Sequence, residues 1–83
     1  MTEQELIEEW AAGMARELTG ITCPHCYALN MAAHAVGITL DLIQAYKDMG
    51  RSRKNATTAA AKTGAKIVNR AQELLVTEIK RVH

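Results

Sequence analysis

The chain has no phenylalanine, a single proline and only three aromatic residues, Trp10, Tyr27 and Tyr46. An all-β domain draws heavily on aromatic and β-branched side chains, so this scarcity, beside fourteen alanines, argues for helices. Charge of either sign is missing from residue 18 to residue 40. That stretch is long enough to span a bilayer, yet Pro24, His25, Asn30, His34 and three threonines interrupt it, and a span should be predominantly apolar. The expectation is the buried middle of a soluble bundle, with no membrane partner. The N-terminus, Met-Thr-Glu-Gln-Glu, lacks the basic region of a secretory signal, which points to the cytoplasm. Disorder is excluded by an ordinary apolar fraction of 48%.

Eighty-three residues make one domain. A chain of this size buries only about 60–65% of its unfolded surface, so a partner subunit, a metal or a disulfide usually supplements its core.

Helical periodicity covers most of the sequence. Leu6, Ile7, Trp10, Ala11, Met14 and Leu18 recur at helical spacing over residues 3–18, with Thr2 and Glu5 as a capping box and Gly20 as the stop. Thr22-Cys23-Pro24 opens a second helix, because proline at the first helical position loses no hydrogen bond. Gly37 is expected to break that helix, with Thr39 capping a third over residues 40–49 that ends at Gly50. A long helix then spans residues 55–82. Its seam is Ala61, Gly64, Val68, Ala71, Leu75, Ile79 and Val82, small in its first half, where another helix can approach closely. The predicted architecture is all-α: a small four-helix bundle with a long C-terminal helix, assembled as a homodimer or larger.

The net charge of +1 hides an asymmetry. Residues 1–45 carry six acidic side chains against Arg16 alone, and residues 46–83 carry nine basic against three acidic. Such a split suggests an anionic partner for the basic half: nucleic acid, nucleotide or an acidic protein. The candidate contacts are Lys47, Arg51, Arg53, Lys54, Lys62, Lys66 and Arg70. Lys62, Lys66 and Arg70 lie at i, i+4 and i+8, where like charges destabilise a helix unless a counter-charge is near. Pairing with Glu5, Glu8 and Glu9 of the same chain is the competing reading.

Residues 29–48 resemble the helix-turn-helix of bacterial and phage DNA-binding proteins. Ala33 stands where the two helices would touch, Gly37 at the turn, and Val36 and Ile38 on either side of it. Ile43 and Tyr46 would anchor the second helix. The resemblance implies that this helix presents Leu40, Asp41, Gln44 and Asp48 to the major groove.

Cys23-Pro24-His25-Cys26 carries the remaining chemistry. A thiol at a helix N-terminus is stabilised as thiolate by free amides and the helix dipole, and a protonated His25 would favour it further. Two cysteines at this spacing can form a disulfide or share zinc, which needs two further ligands, from His83 or a second copy. Ordinary buried thiols are the plainer reading. Residues 22–45 also resemble the core of the AhpD-like alkylhydroperoxidase and carboxymuconolactone decarboxylase families. That resemblance implies a thiol oxidoreductase using Cys23 and Cys26; the family's histidine four residues after the second cysteine is Asn30 here, and His34 stands four further on. The residues themselves favour a non-enzymatic regulatory or binding protein without a cofactor.

Overall fold

The computed structural model describes the backbone of residues 2–82 and the side chains of residues 2–77, and the chain there is helical. It forms α1 (Glu3–Leu18), α2 (Pro24–Asp48) and α3 (Arg53–Val82). Thr2 caps α1 as expected: its hydroxyl accepts from the Glu5 amide at 3.2 Å and donates to the Glu5 carboxylate at 3.0 Å. Gly20 follows α1 and Gly50 follows α2, with φ of +91° and +94°, the left-handed region that a β-carbon disfavours. At Gly50 the exit is a Schellman turn, with the Arg51 amide on Tyr46 O and the Gly50 amide on Lys47 O.

The bundle has three helices rather than the expected four, because α2 runs unbroken through Gly37. A glycine inside a helix costs only about 1 kcal/mol, and alanine-rich flanks absorb that. Thr39 does not cap a new helix. Its hydroxyl donates back to Ala35 O at 2.8 Å, a bond that exists only if the helix continues. The turn expected for the helix-turn-helix resemblance is therefore absent, and residues 29–48 lie on one helix. The start of α3 also differs by two residues: the Ser52 hydroxyl accepts from the Asn55 amide at 3.2 Å and begins the helix at Arg53.

α3 is the central helix. It packs along both α1 and α2, while α1 and α2 touch each other sparsely. Glu3 lies beside Lys66 and Glu8 beside Arg70, so α1 runs parallel to α3. Tyr46 reaches Thr63 and Thr39 approaches Gly64, so α2 runs antiparallel to it as one arm of a hairpin. The buried face of α3 is Ala56, Ala60, Thr63, Gly64, Ile67, Ala71 and Leu75. That stripe is rotated from the expected seam: Ala61 is exposed and Val68 half-buried, while Ile67 is fully buried. The expected seam residues Ile79 and Val82 lie outside the described side chains.

Ile7, Ala11, Met14 and Leu18 from α1 and Leu42 from α2 complete the core. The uncharged stretch is not the buried middle that its composition suggests. α2 contributes only Leu42 to the fully buried set, because α3 occupies the centre. α2 is long and apolar enough to cross a membrane by length and composition alone.

Gly64 decides how closely α2 can lie on α3. A β-carbon there would stand 3.2 Å from Thr39 Oγ1 and 3.9 Å from Leu42 Cδ1. Thr63, the buried polar residue beside it, exchanges a 2.9 Å hydrogen bond with the Tyr46 hydroxyl. Gly64→Val is expected to destabilise the fold by about 2–3 kcal/mol through overpacking. Thr63→Val, which strands the Tyr46 hydroxyl, is expected to cost about 1 kcal/mol. Urea titration followed by circular dichroism measures both.

Candidate functional site

Two of the seven basic candidates are spent inside the molecule. Lys66 Nζ is 3.2 Å from Glu3 Oε1, and Arg70 donates through Nε to Glu8 at 2.9 Å and through Nη1 to Glu73 at 3.0 Å. Those carboxylates, Glu73 foremost and then Glu8, push the Arg70 guanidinium pKa above its ordinary value. Of the acidic partners expected from the sequence, Glu8 is used, and Glu3 and Glu73 take the places of Glu5 and Glu9. The pairs hold α1 in register along α3.

The other five candidates, Lys47, Arg51, Arg53, Lys54 and Lys62, are exposed and make no ion pair among the described residues. Four of them fall within eight residues of chain, on the turn joining α2 to α3. α1 begins only at the level of Thr63 and Lys66, so this end of the hairpin stands clear of its carboxylates. Arg51 lies over the Tyr46 ring, 4.7 Å from its centroid, a cation–π contact that orients the guanidinium. Tyr46 is held in turn by Thr63. The nearby Asp48 carboxylate accepts from the Gln44 amide at 2.8 Å. The first turn of α3 contains no acidic residue, so the positive end of its dipole adds to the four side chains.

The thiol pair occupies the start of α2, at the far end of the hairpin. Cys23 is the N-cap: its Sγ accepts from the Cys26 amide at 3.4 Å. Both thiols are free and exposed, so they are not packing residues. The Cys26 amide, then the Cys26 thiol and the His25 amide, lower the Cys23 pKa below its ordinary value. Donating its own hydrogen bond to Cys23 raises that of Cys26. The His25 backbone, not its ring, makes that contribution.

Asn30 donates to Cys26 O at 2.8 Å. His34 lies one turn beyond Asn30 and two beyond Cys26, half-buried in a groove between α1 and α2 with Trp10, Glu17, Ile38 and Asp41. Among the described residues no third histidine, cysteine, aspartate or glutamate joins Cys23 and Cys26. Zinc at this pair would need two further ligands, from outside the described residues or from a second copy. His83 lies outside the described residues.

Comparison with protein families, curated proteins and solved structures finds no match to this chain.

A thiol caps a helix less well than a hydroxyl. Cys23→Ser is therefore expected to keep or slightly raise the melting temperature. In the wild type, Cys23 should be alkylated by iodoacetamide with a midpoint below that of an ordinary thiol, and Cys26 with one above it. Mass spectrometry of rate against pH measures both; equal, ordinary midpoints would contradict the hydrogen-bonding scheme.

Proposed function

We propose that the protein is a non-enzymatic binding protein that works as an assembly of copies and holds an anionic partner, with nucleic-acid phosphates as the best fit, on the α2–α3 turn. The observation that carries this reading is the division of the cations. Lys66 and Arg70 have intramolecular carboxylates, whereas Lys47, Arg51, Arg53 and Lys54 have none among the described residues. A folded chain that leaves four cations together at one end accepts their mutual repulsion, and an anion there relieves it. Lys62, two to three turns along α3, extends the basic track. The guanidinium groups of Arg51 and Arg53 suit bidentate phosphate contacts, and Lys47 and Lys54 supply point charges.

Binding to a single-stranded oligonucleotide should weaken steeply with salt. At about 0.7 per phosphate contact, four contacts give a slope of log K against log salt near −3. Changing Arg51, Arg53 and Lys54 to Gln should remove most of that slope, whereas Lys66→Gln should leave it nearly unchanged. Fluorescence anisotropy at several salt concentrations reads both. Equal losses in the two variants, or no binding at low salt, would overturn the assignment.

A second reading rests on the thiols. Cys23, exposed and with its thiolate favoured, is arranged to attack a substrate disulfide or peroxide, and Cys26 to resolve the product as a Cys23–Cys26 disulfide. This is the chemistry that the AhpD-like resemblance implies. Asn30, bonded to the backbone, supplies no proton relay. Substrate turnover abolished by Cys23→Ser, with oligonucleotide binding intact, would establish the thiol activity beside the binding one.

A further inference from the structure

One of the four cations on the α2–α3 turn differs from the others in what lies beneath it. Arg51 Cζ is 4.7 Å from the centroid of the Tyr46 ring. Among the described residues, Lys47, Arg53 and Lys54 have no aromatic ring under them. Both members of the Arg51–Tyr46 pair are fixed from below. The Schellman turn at Gly50 brings the Arg51 amide to Tyr46 O at 3.1 Å, which returns the Arg51 backbone to the helical turn that carries Tyr46. Tyr46 is half-buried against the core, and its hydroxyl shares a 2.9 Å hydrogen bond with Thr63 Oγ1. The ring is therefore in place before any ligand arrives, and the guanidinium rests on it.

This divides the Arg51 guanidinium into three surfaces. The Tyr46 ring occupies one side. The N–H groups lie in the guanidinium plane and point out from its edge, where a phosphate is held. The side away from Tyr46 remains. Arg51 is exposed and makes no ion pair among the described residues. The carboxylate of Asp48, the closest acidic residue in the chain, is engaged by Gln44. A planar, weakly hydrated cation is a surface on which an aromatic ring stacks.

We propose that the α2–α3 turn selects single-stranded nucleic acid, with one unpaired base stacked on the outer side of Arg51 and its phosphate at the guanidinium edge. The inference rests on the reading of this turn as a site for nucleic-acid phosphates, and names the kind of nucleic acid it takes. Lys47, Arg53 and Lys54 attract the phosphates of any strand. Arg51 is the residue that distinguishes a strand with free bases from a duplex. No aromatic residue falls between residues 47 and 54, so stacking on this turn goes through the guanidinium.

A duplex fits less well for a physical reason. Its bases are stacked on one another, so it offers Arg51 a phosphate and leaves the outer side of the guanidinium against water. Charge alone favours the duplex, which carries one charge per ~1.7 Å against one per ~3.4 Å along either strand. Stacking and charge thus push the preference in opposite directions, and the preference reports which of them acts at Arg51.

Fluorescence anisotropy at low salt tests this with three labelled probes: a thymidine strand, an abasic strand with the same number of phosphates, and a duplex of the same length. The wild type should bind the thymidine strand about tenfold more tightly than the abasic strand. It should bind the duplex no more tightly than the thymidine strand. Arg51→Lys keeps the charge and removes the planar group, so it should bind the thymidine and abasic strands within about twofold of each other. Its affinity for the abasic strand should match that of the wild type. A second measurement needs no variant. The Arg51 Nε–H resonance of the wild type should lie upfield with the thymidine strand relative to its position with the abasic strand, because a stacked base shields it.

No binding to any of the three probes would overturn the phosphate reading and this inference together. Binding to all three with no preference for the thymidine strand over the abasic one, or with the duplex favoured, would leave the phosphate reading and overturn the base platform. A tenfold preference that survives in Arg51→Lys, or an Arg51 Nε–H resonance at the same position with both strands, would overturn the assignment to Arg51.

Discussion

The arrangement depends on how closely two helices can lie against a third. α3 presents Ala56, Ala60, Gly64 and Ala71 in its buried stripe. Without bulk at these positions, α2 comes near enough for Thr39 and Leu42 to lie against Gly64, and for Tyr46 to bond Thr63. Ile67 and Leu75 give the larger contacts where α1 also arrives, with Ile7, Ala11, Met14 and Leu18. Because α3 serves both neighbours, it takes the central place, and the outer side of α2 faces away from it.

The charge layout follows from the same placement. Lying parallel to α3 from Thr63 onward, α1 brings Glu3 and Glu8 to Lys66 and Arg70. Exposed ion pairs of this kind contribute little to stability, but they set register. The end of the α2–α3 hairpin extends past α1 and keeps its cations without internal partners among the described residues. At the opposite end of α2 the helix amides act on a thiol, so each end of the hairpin holds one kind of chemistry.

Much of this was legible in the residues. The bounds of α1, the proline-led start of α2 and the stop at Gly50 all follow from capping chemistry, which is local. Gly37 was misleading for a physical reason: it lies beside Thr39, a good cap, but a threonine hydroxyl can also bond back to the preceding turn, and Ala35 O was available. The central position of α3 was not legible, because alanine gives no signal distinguishing a buried stripe from an exposed helix flank. For the same reason the uncharged part of α2 suggested a core although most of it is exposed. The seven cations were visible as a group; their division into paired and unpaired required knowing that α1 begins level with Thr63. The N-cap placement of Cys23, with its thiol on the Cys26 amide, was readable from its place before Pro24.

The most direct measurement of the central claim is residue-by-residue mapping of anion binding by amide chemical shifts. With a short single-stranded oligonucleotide titrated at low salt, the account predicts that the largest shifts fall on residues 47–54, with smaller ones at Lys62, and that Lys66, Arg70 and Glu8 stay put. Shifts centred on Lys66 and Arg70, or none along the turn at saturating oligonucleotide, would contradict it.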